Sequence, residues 1–191
     1  MSVTTRDKIV ALTLPLIRKK SYSSFSYDDI SRELKITKAA IHYHFEKKED
    51  LGIAICEKAR EAFTLCYEST LNEIRNKNGH PWRYIENVMK YLAVDEICLV
   101  SSFQSDFENL PPQLKEKVKR LSEMQIEQLE LLIKEFAPRS KSGTVSVITN
   151  LSIKGALQYR RVQGENFFKK ALKSIKEQFY VALDSGKEKK R

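Results

Sequence analysis

The stretch that decides the fold is TKAAIHYHF, residues 37–45. Thr37 can open a helix, because its side-chain oxygen can accept a hydrogen bond from the first free amides. Ile41 and Phe45 lie four residues apart and therefore share one face of that helix, which we expect to be buried. A two-turn helix with one buried edge and one edge rich in donors suits reading of the major groove of DNA. The outer edge would carry Lys38, Ala40, His42, Tyr43 and His44.

A second short helix precedes this stretch. The run SYDD at residues 26–29 resembles a capping box and predicts a helix from Tyr27 to about Leu34, with Ile30 facing inward. Helix, tight turn and helix between residues 26 and 45 have the spacing of a helix-turn-helix. Lys48 begins the next helix, where free amides and the helix dipole favour a phosphate. The predicted DNA-binding residues are Ser26, Tyr27, Thr37, Lys38, Ala40, His42, Tyr43 and Lys48.

The rest of the chain shows helical periodicity and no alternating strand pattern. We therefore predict an all-α protein of about nine helices. Proline and glycine clusters separate the longer runs, as at residues 76–81 and 138–143. The remaining predicted helices cover residues 3–20, 46–75, 81–93, 98–109, 113–136, 145–162 and 165–183.

Composition sets the class of partner but not the location of the site. The 191 residues carry a net charge of +9, which favours an anionic partner. Most of that excess lies in residues 139–191, away from the proposed reading helix. The three cysteines are an odd count without a C-x-x-C pair, and no signal peptide is recognisable, so we expect reduced thiols in the cytoplasm. No apolar run approaches the roughly 20 residues of a membrane span.

The segment from Ile30 to Leu51 resembles a known family motif. Its pattern I-S-x-x-L-x-I-T-K-A-A-I-H-Y-H-F-x-x-K-E-x-L is similar to I-A-x-x-x-G-V-S-x-G-x-L-Y-x-H-F-x-x-K-x-x-L of the TetR family of one-component transcriptional repressors. The resemblance covers about the first 55 residues. The sequence departs from the family pattern at Ser21 and Ala39, where Gly is usual, at Ala40, where Thr is common, and at His42, where Tyr is common.

The resemblance implies a domain plan and a mode of action. Residues 3–50 would form a three-helix DNA-binding domain and residues 51–185 a helical ligand-binding and dimerisation domain. Residues 186–191 would form a basic, disordered tail. A homodimer would repress from a palindromic DNA operator until a small, partly apolar effector enters the second domain. The alternative is a dimeric ligand carrier or protein-interaction module that does not bind DNA.

Two further sets of residues are predicted from helical spacing, and each is equally well explained as ordinary core. Apolar and aromatic side chains of the middle helices are candidates for a ligand cavity. Stripes on the last two helices are candidates for a four-helix dimer interface. The ligand set is Phe63, Tyr67, Met89, Leu92, Phe103, Phe107, Met124 and Tyr159; the dimer set is Val145, Ile148, Ser152, Gly155, Ala156, Phe168, Leu172, Ile175 and Phe179.

No enzymatic chemistry is indicated. The sequence contains no Gly-rich phosphate loop, no nucleophile motif and no paired acid with a matched base. His42 and His44 cannot share a metal ion, because residues two apart on a helix point about 200° from each other. We therefore expect no metal and no cofactor. Cys56, Cys66 and Cys98 lie in apolar runs, which favours inert thiols over redox sensors.

Overall fold

The computed structural model describes residues 4–184, and within that range the protein contains nine α-helices, one short 3₁₀ helix and no strand. The predicted all-α class is confirmed. The predicted tail at residues 186–191 lies outside the described residues. The helices are α1 (Thr5–Lys20), α2 (Tyr27–Leu34), α3 (Lys38–His44), α4 (Lys48–Arg75), α5 (Trp82–Met89), α6 (Leu99–Gln104), α7 (Pro112–Phe136), α8 (Ser142–Gln163) and α9 (Glu165–Asp184), with the 3₁₀ helix at Phe107–Asn109.

Several predicted helices differ from the structure by up to three residues at their ends, as for α8, which begins at Ser142 and not at residue 145, and two differ by more. α5 ends at Met89 and not near residue 93, and a turn closed by Leu92 N–H donating to the Met89 carbonyl follows it. The predicted helix at residues 98–109 is divided into α6 and the 3₁₀ helix. Neither break coincides with a glycine or proline, so the sequence carries no local signal for it.

The described residues pack as two compact units. Unit 1 holds the residues up to Glu61 together with Glu96–Leu121, and unit 2 holds Ala62–Asp95 together with the residues from Ser122 onward. This division differs from the predicted single boundary after residue 50. The segment that begins at Glu96 joins unit 1, because Glu96 forms an ion pair with Arg18 at 3.6 Å and the Ile97 amide donates to the Arg18 carbonyl at 3.2 Å.

The core of unit 1 is apolar and aromatic. The Tyr22 ring meets the Phe25 ring edge-on and lies 5.3 Å from the Phe103 ring. A Cβ atom added at Gly52 would lie only 2.9 Å from Leu114 Cδ2, so α4 approaches Leu114 closely at this point. Fully buried side chains of unit 1 include Ile9, Ile17, Phe25, Ile30, Ile41, Phe45, Leu51, Phe103 and Leu114.

The core of unit 2 is built around Trp82, whose ring lies 5.4 Å from that of Phe179. It also contains a buried pair of polar side chains that bond to each other. The Tyr84 hydroxyl donates to Gln128 Oε1 at 2.9 Å, well inside the unit. Across residues 4–184, no helix is both long enough and apolar enough to cross a bilayer.

Candidate nucleic-acid interface

The helix-turn-helix is shaped by hydrogen bonds between near neighbours in sequence. Asp29 N–H donates to Ser26 Oγ, and Ser26 N–H donates back to Asp29 Oδ2 at 2.9 Å, which is the predicted capping box. Lys35 ends α2 in the left-handed region with φ of 54°. The turn then delivers Thr37, whose Oγ1 accepts from the Ala40 amide at 3.2 Å and caps α3.

The inner edge of α3 is buried and its outer edge faces solvent. Ile41 and Phe45 are almost completely buried, as predicted. Tyr43 is 86% exposed, and Lys38 and His42 are also exposed. Ala40, between them in sequence, is partly buried. The structure therefore brings the predicted reading residues of α3 together on one accessible surface, although their roles as DNA contacts stay predictions.

Lys38 reaches back to α2. Its Nζ lies 2.7 Å from Asp28 Oδ1, and both side chains are more than half exposed. An exposed ion pair of this kind contributes about 0–1 kcal/mol. The ammonium of Lys38 can therefore leave the Asp28 carboxylate and bind a phosphate with little loss of free energy.

Lys48 begins α4, as predicted, and its ammonium also binds the loop before α2, which the sequence did not indicate. Its Nζ donates to the carbonyls of Phe25 at 2.7 Å and Ser23 at 3.2 Å, and it lies 4.3 Å from the centroid of the Phe25 ring. Burial lowers the pKa of Lys48, while the charge of Asp106 acts in the opposite direction. A lysine ammonium has three donors, so one N–H remains for a phosphate while two hold the loop before α2.

Tyr27 acts inside the motif. Its hydroxyl donates to the Phe45 carbonyl at 3.0 Å, and burial raises its pKa to about 12. Its ring meets the His42 ring edge-on at 4.8 Å, and Nδ1 of His42 lies 3.1 Å from the Glu46 carbonyl oxygen. Tyr27 therefore ties α2 to the end of α3, a structural role that helical spacing in the sequence did not indicate.

The predicted dimer residues do not all face outward. Val145, Ala156, Phe168 and Phe179 are buried within the protomer, where little of their surface is left for a partner, and their place at an interface stays a prediction. They pack on the core because α8 and α9 pack closely against each other. Ile148 is exposed, while Ser152, Gly155, Leu172 and Ile175 are partly buried.

The exposed apolar stripe of α8 is rotated away from the predicted one. Leu151 and Val162, which the prediction omitted, are 61% and 80% exposed, and Tyr159 is also exposed. A Cβ at Gly155 would meet nothing within 4 Å. We call the set Ile148, Leu151, Ser152, Gly155, Tyr159 and Val162 the α8 stripe; its spacing of three, one, three, four and three residues follows one helix face.

The predicted ligand residues are divided between the units. Phe103 and Phe107 lie in unit 1, and Phe103 is fully buried against Tyr22. Tyr159 is exposed on the α8 stripe, and its place in a ligand cavity stays a prediction. The other five lie in unit 2 and are buried or partly buried: Phe63, Tyr67, Met89, Leu92 and Met124.

Unit 2 also contains an open polar cleft of about 410 Å³ that the sequence did not indicate. The rings of His80 and Tyr180 pack against each other on one side of it, with centroids 4.4 Å apart and planes inclined by 52°. Burial, and then the charge of Lys176, lower the pKa of His80 from 6.5 to about 4. Lys176 and Glu86 form a 2.8 Å ion pair in the lining, so its charged groups largely neutralise each other.

These features define a class of protein: an all-α helix-turn-helix transcriptional regulator, with an exposed reading helix and a separate helical unit. Residues 9–55 match the sequence model of the family described as bacterial regulatory proteins, tetR family. The resemblance that the sequence motif predicted is confirmed: residues 9–55 carry the DNA-binding domain of the TetR family, and the chain shares the fold of TetR-family regulators.

Similar proteins agree with this assignment. The chain is 37% identical over 46 residues to IcaR of Staphylococcus epidermidis, a negative transcriptional regulator of the biofilm operon icaADBC, which covers 24% of this chain and 25% of that protein. The match thus spans about a quarter of the length of that relative. An HTH-type regulator in the lacX 3′ region of Lactococcus lactis subsp. lactis is 24% identical over 182 residues, covering 85% and 89% of the two chains.

Solved structures extend the likeness to the whole fold. A TetR transcriptional regulator from Legionella pneumophila superimposes with a TM-score of 0.78 at 27% identity, covering 93% of this chain and 98% of that one. A TetR-family regulator from Agrobacterium tumefaciens gives a TM-score of 0.76 at 22% identity, covering 91% and 96%. The similarity therefore includes both the DNA-binding motif and the helices that follow it.

Proposed function

We propose that this regulator is a cytoplasmic repressor that binds a palindromic DNA operator as a homodimer and is released by a small, partly apolar ligand. The observation that carries the proposal is the geometry of α3, which is capped by Thr37 and anchored by Ile41 while Lys38, His42 and Tyr43 face solvent. Repression in particular is supported by IcaR, a relative named as a negative regulator.

The eight proposed DNA-binding residues take different parts. The exposed side chains of His42 and Tyr43 are the proposed readers of base edges, with Ala40 as an apolar neighbour. Lys38 and Lys48 are proposed to meet phosphates, which fix the register of the protein on the duplex. The cap residues Ser26 and Thr37, together with Tyr27, are proposed to lie against the backbone of the duplex.

The homodimer is supported by the α8 stripe. An exposed row of apolar side chains on a folded unit marks a surface for another protein, and a second copy with the same row can cover it. The small residues Ser152 and Gly155 in that row would allow close helix approach. A symmetric dimer carries two copies of α3, which is what a palindromic operator requires.

The ligand part of the proposal rests on the family plan and on the apolar side chains of unit 2. Phe63 is buried, while Tyr67, Met89 and Met124 are partly buried and therefore partly accessible. Ligand cavities are lined mainly by such apolar and aromatic groups. No enzymatic step is part of the proposal.

The direct test is a gel shift with the DNA that flanks the gene, followed by titration at several salt concentrations. We expect a specific complex whose affinity falls as salt rises, because phosphate contacts release counterions. Absence of any specific complex would instead favour the carrier or interaction module that does not bind DNA.

Lys48→Ala tests the phosphate contact within the same assay. We expect weaker binding to every sequence and a salt slope lower by about one. Lys58→Ala is the matched control, because Lys58 also lies on α4 in unit 1 but forms an exposed ion pair with Glu61 at 3.4 Å. If Lys48→Ala lowers only thermal stability and leaves the slope unchanged, its ammonium holds the loop through Phe25 and does not contact DNA.

A further inference from the structure

The ring of His42 is held in one orientation. Its Nδ1 lies 3.1 Å from the Glu46 carbonyl oxygen, and the Tyr27 ring meets it edge-on at 4.8 Å with an interplanar angle of 63°. A carbonyl oxygen can only accept a hydrogen bond, so Nδ1 must carry a proton for this contact to form. In the neutral imidazole the other nitrogen, Nε2, is then unprotonated and acts as an acceptor.

This contact has a physical reason at the end of α3. The last carbonyls of a helix and those just beyond it lack partners within the helix. Tyr27 donates its hydroxyl to the Phe45 carbonyl at 3.0 Å, and His42 then serves the next carbonyl, that of Glu46. Two packed rings thus satisfy two successive carbonyls, and moving His42 to the other tautomer would leave the Glu46 carbonyl facing a lone pair.

Nε2 remains available on the outer edge of the helix. His42 is exposed, and within residues 4–184 the only hydrogen bond of its ring is the one made by Nδ1. The free nitrogen lies on the same accessible surface as Tyr43, which is 86% exposed. The ring therefore presents a preoriented acceptor to whatever contacts α3.

Resting on the proposed function, we propose that His42 selects a base that offers an exocyclic amino group in the major groove. Adenine N6 and cytosine N4 are the donors there, whereas guanine and thymine offer only acceptors at the corresponding positions. A histidine with a proton on Nε2 would have the opposite preference, for guanine. The hydrogen bond to Glu46 thus sets base preference through the tautomer of His42.

The tautomer is testable in the free protein, independently of DNA. Nitrogen-15 NMR of histidine-labelled protein distinguishes protonated from unprotonated ring nitrogens, and His42→Gln identifies the signals of His42 by their loss. At a pH where the ring is neutral, we expect the proton on Nδ1. A spectrum with the proton on Nε2 would overturn the inference without bearing on whether the protein binds DNA.

The base preference is tested with a pool of randomised palindromic duplexes enriched by the wild type and by His42→Ala. We expect one position to favour adenine or cytosine for the wild type and to lose that preference for His42→Ala. At that position adenine is then replaced by 2-aminopurine, or cytosine by 2-pyrimidinone, each of which lacks the amino group in the major groove. The wild type should lose roughly 5- to 150-fold in affinity, and His42→Ala should lose nothing further.

Two more variants separate acceptor from donor. His42→Gln retains an acceptor oxygen and should keep part of the preference, whereas His42→Lys has only donors and should shift the position toward guanine. Enrichment of guanine or thymine by the wild type, or equal losses for wild type and His42→Ala with the analogues, would overturn the inference alone. Failure of the wild type to enrich any duplex would overturn the proposed function and the inference with it.

Discussion

Two exposed surfaces of the molecule, the outer edge of α3 and the α8 stripe, are built from opposite kinds of side chain. α3 presents Lys38, His42 and Tyr43, whose polar groups are well hydrated when no partner is bound. The α8 stripe presents Ile148 and Val162, which are 59% and 80% exposed. Apolar area left in water is unfavourable by about 25 cal/mol per Å². The outer edge of α3 therefore suits a partner that binds reversibly, whereas the α8 stripe suits a partner that remains bound.

The two units also differ in how their polar groups find partners. In the helix-turn-helix most bonds join near neighbours, as between Ser26 and Asp29. In unit 2 they join distant segments, as between Tyr84 and Gln128, which are 44 residues apart, or Lys176 and Glu86, which are 90 apart. The shape of the first is therefore specified locally, whereas unit 2 depends on tertiary packing.

The largest expected effect follows from Ile148→Asp, which places a charge in the α8 stripe. If this stripe is the dimer interface, each dimer would bury two unpaired carboxylates, and burying one unpaired charge costs about 3–5 kcal/mol. We expect the dimer dissociation constant, measured by sedimentation equilibrium, to rise at least about 100-fold. Operator affinity should fall with it, because a monomer reads only one half-site.

Val147→Asp is the matched control for this substitution. Val147 is also apolar and 40% exposed, but it lies about 100° around α8 from Ile148. It should leave the dimer largely intact, and Lys38→Asp should leave the dimer unchanged while abolishing DNA binding. An unchanged dimer in Ile148→Asp would mean that the α8 stripe is covered by something other than a second copy.

This contrast explains which parts of the molecule could be predicted from the sequence. α2 was predicted with its observed bounds, and the burial of Ile41 and Phe45 was predicted correctly, because caps and four-residue spacing are local signals. The hydrogen bond from Tyr27 to Phe45 was missed, since it depends on how two helices cross.

The position of the exposed α8 stripe was missed for a related reason. Val145 and Ala156 lie beside the α8 stripe on the same broad apolar face of the helix. Periodicity shows that this face is apolar, but only the position of α9 decides which part it covers. Val162, which is 80% exposed, continues the helical spacing of Leu151 and Tyr159. The sequence therefore contained the pattern of the α8 stripe, but it gave no way to distinguish these exposed residues from the buried ones.

A smaller effect on the free energy of unfolding is expected from the titration of His80. It tests how far unit 2 depends on packing between segments that are distant in sequence. Burial and Lys176 lower the pKa of this ring to about 4, whereas the unfolded chain takes up the proton near pH 6.5. The unfolded state is therefore favoured progressively as the pH falls from about 6.5 to 4. Because the ring is only partly buried, solvent screening reduces the loss to about 1–2 kcal/mol.

Urea unfolding at fixed protein concentration, followed by fluorescence, gives this loss. Trp82 is the single tryptophan of the chain and lies in unit 2, so the signal reports that unit. His80→Asn keeps an acceptor for the Trp82 amide, which donates to Nδ1 at 3.2 Å, but cannot titrate. Its stability should change less between pH 7 and pH 4.5 than that of the wild type. Parallel pH profiles for the two proteins would contradict the role of His80.

The smallest effect is expected from Tyr27→Phe, a substitution that tests whether the helix-turn-helix is stabilised only by local contacts. Tyr27→Phe removes the hydroxyl that donates to the Phe45 carbonyl 18 residues away, and loss of such a bond costs about 1 kcal/mol of unfolding free energy. Tyr22→Phe is the control, because the Tyr22 ring is also buried in unit 1 but its hydroxyl makes no hydrogen bond within residues 4–184.

The difference between these two variants, measured by urea unfolding followed by circular dichroism, isolates the bond. Tyr27→Phe retains the ring that packs on His42, so a loss confined to this variant belongs to the hydroxyl and not to the edge-on contact. If both variants lose the same free energy, the link from α2 to the end of α3 adds nothing, and the reading helix is held by its caps and by Ile41 alone. A specific loss in Tyr27→Phe shows that one bond between distant residues completes a motif that is otherwise local.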